Sequence, residues 1–354
     1  MPEKAPQRIL LLMLLPIGDT LFATPAVRAL RERYPEAHIT ALVYPTNEGI
    51  LRHNPSIDSF LFWPTREKWP GFMAVARLFL HLRRAHFDLA VEFCNYIWWV
   101  TLWSGIRRRT EMNLPKMWWA LPWAGTQWRK RHAVEHYSDV VRRLGIPVHD
   151  THLLIYPSAE EIAHAESRLS GHRISPDDTL VGMHLGGEGL WGRKRWPVEK
   201  FAEVTNGFLE IGARVVIMGG KEEVALAEEL VRRAHFPVIN AAGQTTLGET
   251  AALAARCTLF IGNDSSPLHI AAASGTRVLG IYGPTDPRSY HPWIPGGKNG
   301  VDYCVVRPNL LCAGRFAFVG GATLVTWAEC LFCPGLKMVT PRQVLSAALS
   351  LIRK

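Results

Sequence analysis

The 354-residue chain has only six cysteines, and no uncharged apolar stretch reaches the roughly 20 residues needed to cross a bilayer. So few cysteines do not suggest a disulfide scaffold, and a reduced, cytoplasmic setting is the simplest interpretation. The apolar run Ile9 to Leu15 resembles the core of a secretory signal, but Asp19 interrupts its continuation and no clean A-x-A cleavage site follows. We therefore expect a mature, soluble chain that starts with a buried strand.

The sequence also lacks the paired cysteines of a common zinc site. Cys330 and Cys333 form a C-x-x-C, but Cys304 and Cys312 are eight residues apart, so a second close pair is missing. A zinc or redox site remains an alternative, whereas buried or loop thiols are favoured. We expect no metal requirement.

A dinucleotide fingerprint is missing as well. Residues 16–26 contain only Gly18, whereas a Rossmann oxidoreductase of this type would have G-x-G-x-x-G. The net charge of +9 favours an anionic partner such as nucleic acid, a phosphorylated metabolite or an acidic membrane face. A nucleic-acid binder would explain the charge, but it would not explain the polar residues that follow strands in both halves of the chain.

Apolar strand-like runs alternate with helical patterns along most of the chain, which predicts α/β layers with parallel sheets. The runs are RILLLMLL, HITALVYP, SFLFWP and DLAVEFC in the first half, and TLVGMHLG, ARVVIMGG, PVINAAG, CTLFIGND and RVLGIYG in the second. Helical patterns include Pro25 to Tyr34, Phe72 to Arg84 and Pro341 to Ile352. Two successive arrays predict two doubly wound domains, joined by the charged stretch 157–178.

Ligands of open α/β sheets bind beyond the carboxyl ends of the strands. The unusual residues lie there in both halves, namely Gly18-Asp19, His184 to Gly187, Gly219-Gly220 and Gly262 to Ser266. Two such edges facing each other would form one cleft between the domains.

The segment GNDSSPLHIAAASG, residues 262–275, follows a predicted strand and starts a helix near Pro267. Ser265 and Ser266 would offer hydroxyl and backbone donors at a helix N-terminus, which suits a phosphate. In the alternative interpretation, Asp264 and the serines only cap the helix, and His269 is a packed core residue.

A basic loop, GRKRWP at residues 192–197, follows the glycine-rich segment MHLGGEGLW. Its three adjacent cations would neutralise a diphosphate at the end of a strand. The alternative is an ordinary solvated loop, with Trp196 packed at the start of the next helix.

Four segments together resemble the ADP-heptose:lipopolysaccharide heptosyltransferases of glycosyltransferase family 9. They are GDTLFATPAVRALRERYPEAHIT, KRWPVEKFAEV, MVTPRQVLSAALSLI and, most specifically, the block from Asn240 to Pro287. The resemblance implies a GT-B fold with two Rossmann-like domains and an interdomain cleft. Residues 1–160 would bind the acceptor and residues 161–336 the nucleotide sugar, while residues 337–354 would form a helix that packs back on the N-terminal domain.

The resemblance also implies roles for individual residues. Asp19 matches the family's proposed catalytic base, and Lys194 matches the lysine that neutralises the donor phosphates. Asp264 and His269 match the D-T-G-P-x-H motif near the donor sugar, and Glu222 is a candidate for the ribose hydroxyls. The full expected donor set is Gly18, His184, Gly186, Gly187, Lys194, Glu222, Asp264, Ser265, Ser266 and His269.

The implied activity is inverting transfer of heptose from ADP-heptose to a lipopolysaccharide inner-core acceptor, with no cofactor beyond the nucleotide-sugar substrate. Ser265 and Ser266 stand where Thr and Gly are usual, which reduces the room for close approach to the donor. A GT-B transferase for another nucleotide sugar therefore remains an alternative, as does a non-catalytic protein that binds anionic glycolipid.

Nine of the 13 tryptophans lie between Trp63 and Trp128, several of them beside Lys or Arg. This combination is typical of a peripheral protein at an anionic bilayer, here the inner face of the cytoplasmic membrane. The alternative is that most are core or acceptor-pocket aromatics. The cations expected to hold an acidic acceptor are Arg107, Arg108, Arg109, Arg129, Lys130 and Arg131.

Overall fold

The computed structural model describes residues 5–64, 72–94, 98–111, 131–187, 194–309, 317–319, 322–324 and 335–353. The chain divides into two compact units. The first comprises Met1–Leu154 and Phe318–Leu324, and the second comprises Ile155–Ala317 and Val325–Lys354. The division after Leu154 falls slightly before residue 160, where the sequence placed it.

The first unit contains a five-stranded parallel sheet in the order β3-β2-β1-β4-β5. Its strands are β1 (Arg8–Met13), β2 (His38–Val43), β3 (Ser59–Phe62), β4 (Leu89–Glu92) and β5 (Arg108–Glu111). The central strand β1 is apolar from its second residue and buried there, as expected for a strand covered on both faces.

Six α-helices of the described part belong to this unit. They are α1 (Ile17–Phe22), α2 (Thr24–Arg33), α3 (Glu48–Leu51), α4 (Phe72–Arg84), α5 (Trp98–Trp103) and α6 (Ala133–Arg142), with a 3₁₀ turn at Pro45–Asn47. The predicted helix Phe72 to Arg84 is confirmed as α4, whereas the predicted helix Pro25 to Tyr34 does not include α1. Helix α1 is too short for a 3.6-residue pattern to stand out.

The second unit contains a six-stranded parallel sheet in the order β8-β7-β6-β9-β10-β11, the Rossmann order 3-2-1-4-5-6. Its strands are β6 (Leu180–His184), β7 (Arg214–Ile217), β8 (Ile239–Asn240), β9 (Leu259–Asn263), β10 (Val278–Ile281) and β11 (Tyr303–Val306). A separate two-stranded sheet joins β12 (Ala317–Val319) to β13 (Ala322–Leu324), and all of it except Ala317 belongs to the first unit.

The helices described in the second unit are α7 (Ala159–Gly171), α8 (Val198–Glu210), α9 (Val224–Arg233), α10 (Leu247–Ala255), α11 (Ser266–Ala273), α12 (Pro287–Tyr290) and α13 (Pro341–Ile352), with 3₁₀ turns at Lys221–Glu223 and Gly335–Met338. Helices α7, α10 and α13 begin with capping boxes, in which Ser158, Thr246 and Thr340 exchange hydrogen bonds with the residue three positions on.

None of the helices in the described part of the chain is both long and apolar enough to cross a membrane.

The buried face of α13 lies in the core of the second unit. That residues 337–354 pack back on the N-terminal domain stays a prediction. Val344, Ala348 and Leu351 share one helical face and pack in the same cluster as α8. A Cβ at Gly207 of α8 would lie 2.6 Å from Leu345 Cδ2, so the glycine permits this close approach.

Candidate functional site

Each sheet has one point where the chain's connections leave in opposite directions, which is where ligands of this fold class bind. In the second unit this point lies between the adjacent strands β6 and β9. His184 ends β6 and Asn263 ends β9, so the residues that follow them meet at one edge. The sequence-predicted donor residues lie mainly around this edge.

Asn263 is fully buried and ties the surrounding loops together. Its Nδ2 donates to the carbonyl oxygens of Leu185 at 2.9 Å and Gly186 at 2.8 Å. Its Oδ1 accepts from the backbone N–H of Trp196 at 3.0 Å. The glycine loop after β6 and the basic segment at Lys194 are therefore fixed to the end of β9. Asn263 lies within the predicted segment Gly262 to Ser266, but no role was predicted for its side chain.

Lys194 and Asp264 form a buried ion pair, with 2.7 Å between Lys194 Nζ and Asp264 Oδ2. Their side chains are 12% and 5% exposed, and His269 Nε2 lies 3.6 Å from Asp264 Oδ1. Burial alone would raise the pKa of Asp264, but the charge of Lys194 and the contact with His269 outweigh it and lower that pKa. Asp264 therefore remains a carboxylate that faces two potential cations.

His184 and the glycine loop lie beside this pair along the same sheet edge. His184 Nδ1 donates to the carbonyl oxygen of Met218 at 3.0 Å, and burial lowers the pKa of the ring, so it is neutral. A Cβ at Gly186 would lie 2.3 Å from Glu223 Oε1, so a larger residue would displace that carboxylate. Gly187 is also buried, and its carbonyl accepts from Arg195 Nε at 3.2 Å.

The neighbouring Glu223 is a second candidate for the role predicted for Glu222. Glu222 is exposed, whereas Glu223 is 8% exposed and its Oε2 accepts from the backbone N–H of Gly220 at 2.8 Å. The segment GGKEE offers two adjacent glutamates, and only the fold shows which one turns inward. Glu223 is therefore the carboxylate packed against Gly186, a residue of the predicted donor set.

Ser265 and Ser266 begin α11 without capping it through their side chains. Ser265 is the N-cap residue, but its hydroxyl donates to the carbonyl oxygen of Asn263 at 3.2 Å rather than accepting from the helix. The helix begins at Ser266, just before the predicted start near Pro267. The simple capping interpretation of Asp264, Ser265 and Ser266 is therefore wrong, since Asp264 instead pairs with Lys194.

In the first unit the corresponding point lies between β1 and β4. Gly18 and Asp19 follow β1, in the first turn of α1 rather than in a loop. Pro16 is the N-cap of that helix, and no side chain forms a capping bond there. The Asp19 side chain instead accepts a hydrogen bond at Oδ1 from the Tyr137 hydroxyl, 2.7 Å away. Asp19 therefore lies inside the first turn of α1 and is not its N-cap residue.

Tyr137 reaches Asp19 from α6, 118 positions further along the chain. It is 1% exposed, and its ring lies 6.3 Å from that of Phe93, which directly follows β4. Burial of the Tyr137 ring and its contact with Phe93 hold the Tyr137 hydroxyl in place against Asp19. No local sequence pattern could have revealed this contact, because it depends on how α6 packs against the sheet.

The predicted acceptor cations are in different environments. Arg107 is exposed just before β5, while Arg108 and Arg109 are half-buried in that strand. Arg131 forms ion pairs with Asp139 at 2.7 Å and Glu135 at 3.1 Å, so acidic neighbours on α6 balance its charge. Arg129 and Lys130 lie outside the described residues.

No group of three or more His, Cys, Asp or Glu side chains within the described ranges is arranged to hold a metal ion. Cys94 and Cys257 are buried, and burial raises the pKa of each thiol to about 12. Cys304 is a free, partly buried thiol. Cys312, Cys330 and Cys333 lie outside the described residues.

Residues 75–301, well over half of the chain, match the family described as Glycosyltransferase family 9 (heptosyltransferase). Lipopolysaccharide heptosyltransferase 3 of Escherichia coli (strain K12) is 28% identical over 301 residues, which cover 78% of this chain and 82% of that protein. The glycosyl transferase family 9 protein from Veillonella parvula DSM 2008 has a TM-score of 0.77 at 24% identity, over 98% of this chain and 97% of that one.

The E. coli ADP-heptose lps heptosyltransferase II has a TM-score of 0.72 at 22% identity, over 98% of both chains. These likenesses, together with the two sheets, confirm the predicted α/β fold of two Rossmann-like domains in the GT-B class. The chain therefore belongs to glycosyltransferase family 9, the heptosyltransferase family, and is a glycosyltransferase.

Proposed function

We propose that this glycosyltransferase moves a heptose from ADP-heptose to an acceptor in the inner core of lipopolysaccharide, with inversion at the anomeric carbon. The observation that carries the proposal is the buried Lys194–Asp264 pair at the end of β9, within a chain of the heptosyltransferase family. The names of the similar E. coli proteins support the donor and the acceptor class.

In this proposal the second domain holds the donor. The Lys194 ammonium has three N–H donors, so it can keep its bond to Asp264 while another N–H binds a phosphate oxygen. As the bond to ADP breaks, negative charge grows on the leaving phosphate, and a fixed cation stabilises it. Backbone N–H groups at the start of α11, near Ser265 and Ser266, would add donors.

The first domain supplies the base. An acceptor hydroxyl is a weak nucleophile at neutral pH, and the Asp19 carboxylate would take its proton as the oxygen bonds to the anomeric carbon. ADP leaves from the opposite face of the sugar, so one displacement inverts the configuration. The Tyr137 hydroxyl, 2.7 Å from Asp19 Oδ1, would keep that carboxylate in a single orientation.

The proposed acceptor is an anionic glycolipid held by the cations of the first domain, and the proposed location is the inner face of the cytoplasmic membrane. Arg107, Arg108 and Arg109 are consecutive residues at β5 and can meet several acidic groups of such a molecule. Arg131 is a weaker candidate because Glu135 and Asp139 already pair with it.

The test of this function is a donor screen with product analysis. We expect release of ADP from ADP-heptose only when a heptose-deficient core acceptor is present, and a product of inverted anomeric configuration by NMR. UDP- and GDP-sugars serve as controls and should release no nucleotide. Transfer from another nucleotide sugar would contradict the donor assignment, and acceptor binding without any transfer would contradict catalysis.

The same assay tests the proposed independence from metals. Because a lysine and backbone donors would stabilise the leaving phosphate, we expect turnover in EDTA within about twofold of the untreated rate. Elemental analysis of the purified protein should find neither zinc nor iron in stoichiometric amount. One metal ion per chain, lost together with activity in Cys330→Ser or Cys333→Ser, would contradict this expectation.

A further inference from the structure

Four aromatic rings of the first unit form one cluster next to α4 and α5. The ring centroids of Phe79 and Trp99 are 5.7 Å apart, those of Phe79 and Trp103 are 6.0 Å apart, and those of Trp99 and Trp103 are 5.8 Å apart. Trp63 extends the cluster, with its ring 6.4 Å from that of Trp99. These contacts pack α4 against α5 through aromatic side chains.

Large apolar side chains of these two helices face solvent. Met73 is 63% exposed, Leu80 53%, Leu102 47% and Trp103 66%, and we name these four residues the α4–α5 face. Single exposed apolar side chains are ordinary, but several large ones on two helices that pack together indicate an interaction site. The α4–α5 face is therefore expected to have a partner.

Helix α4 and the residues just after it carry charges of one sign. Residues 72–87 contain three arginines and no aspartate or glutamate. On α4, positions 73, 77, 80 and 84 share one helical face, so exposed Arg77 and Arg84 alternate with Met73 and Leu80. Arginine stems can lie along apolar surface while their guanidinium groups bind phosphate, and tryptophan favours the headgroup region of a bilayer.

We propose that the α4–α5 face is the surface by which this chain binds an anionic lipid bilayer. Leu80 and Trp103 would enter the boundary between headgroups and acyl chains, while Arg77 and Arg84 contact lipid phosphates. The proposal rests on the proposed function in one respect, since a glycolipid acceptor would lie in that same bilayer. It adds a defined surface, outside the residues assigned to donor, acceptor or base.

Vesicle sedimentation tests the apolar part of this proposal. With phosphatidylcholine vesicles containing about 30% phosphatidylglycerol, we expect Leu80→Ser/Trp103→Ser to partition at least roughly tenfold more weakly than the parent, because two large apolar side chains no longer enter the bilayer. The matched control is Ile211→Ser/Phe236→Ser in the second unit, where the side chains are 62% and 53% exposed. This control should partition like the parent.

Charge is tested separately with Arg77→Gln/Arg84→Gln. We expect this variant to bind the anionic vesicles roughly tenfold more weakly than the parent, with little change in its binding to pure phosphatidylcholine vesicles. Added salt should weaken the binding of the parent to anionic vesicles, and it should weaken the binding of the variant less steeply. The proposal would be overturned if Leu80→Ser/Trp103→Ser bound the vesicles as strongly as the parent. It would also be overturned if this variant and the Ile211→Ser/Phe236→Ser control lost vesicle binding equally.

Turnover with a delipidated, soluble acceptor keeps the two proposals apart. It should be unchanged in the Leu80/Trp103 variant, because neither side chain belongs to the proposed site. If the parent transfers no sugar, the proposed function is overturned, but the vesicle experiment still tests membrane binding. If the variant binds vesicles as well as the parent, the α4–α5 face is not the membrane-binding surface, whatever the turnover of the variant.

Discussion

Asp19→Asn is expected to give a folded protein that binds the nucleotide sugar but has a kcat lower by roughly 10²–10⁴-fold, the usual contribution of a positioned general base. Asn keeps the shape of the side chain and can still accept a hydrogen bond from Tyr137. It cannot take up a proton in the reaction. Melting temperature, donor affinity and turnover should be measured on the same sample.

A matched control is Asp150→Asn, which also removes one carboxylate from the first unit. Asp150 pairs with Arg28 at 2.9 Å but is 52% exposed, so its loss should leave turnover unchanged. A folded Asp19→Asn protein with turnover within a few-fold of the parent would exclude Asp19 as the base. In that case the bond from Tyr137 to Asp19 would have a purely structural role.

Asp264→Asn should have the largest effect on stability. The change leaves the 12% exposed Lys194 ammonium without its carboxylate, and removal of one partner of a buried ion pair costs about 3–5 kcal/mol. For a domain of this size that cost corresponds to a fall of roughly 6–20 °C in melting temperature. Calorimetry resolving the two domains should show the loss in the second one.

Two further variants separate charge from packing at this site. Lys194→Met/Asp264→Asn removes both charges, and we expect it to recover much of the lost stability, because no buried charge remains uncompensated. Asp150→Asn breaks a more exposed ion pair and should cost at most about 1 kcal/mol. Equal stability of Asp264→Asn and the parent would mean that the ion pair contributes nothing to folding.

The Lys194–Asp264 pair also predicts a direction for the dependence of stability on pH. The folded-state pKa of Asp264 is lowered, so the ion pair stabilises the protein above the unfolded-state value of about 3.9. This contribution is lost as the pH falls from that value through the lower folded-state pKa. The difference in unfolding free energy between the parent and Asp264→Asn should therefore shrink below about pH 4.

Most of the architecture was predictable because the buried strands are apolar and regularly spaced. Within the two parallel sheets, the strands that were not predicted are β5 and β11, and each lies at an edge of its sheet. Strand β5 has the sequence RRTE and is mostly half-buried, so it carries no apolar run. Strand β11, with the sequence YCVV, has only four residues and is half-buried throughout.

The candidate site was predictable where it follows a strand and not where it depends on packing. Lys194, Asp264 and His269 were found through their motifs, and the structure brings them together. Tyr137 was not found, since it meets Asp19 only through the docking of α6. Asn263 was placed in the predicted strand-end segment, but its bonds to the loop carbonyls were not predicted, because an amide between a glycine and an aspartate is typical of an ordinary turn.

The position of α13 has a consequence for how the protein is made on the ribosome. Val344 and Leu351 fill the same core as β6 and α8, which were synthesised about 150 residues earlier. Translation at roughly 5–20 residues per second therefore leaves that part of the core uncovered for roughly 8–30 seconds. During this interval the nascent second domain can bind chaperones or aggregate, and it reaches its native fold only once its last helix has emerged.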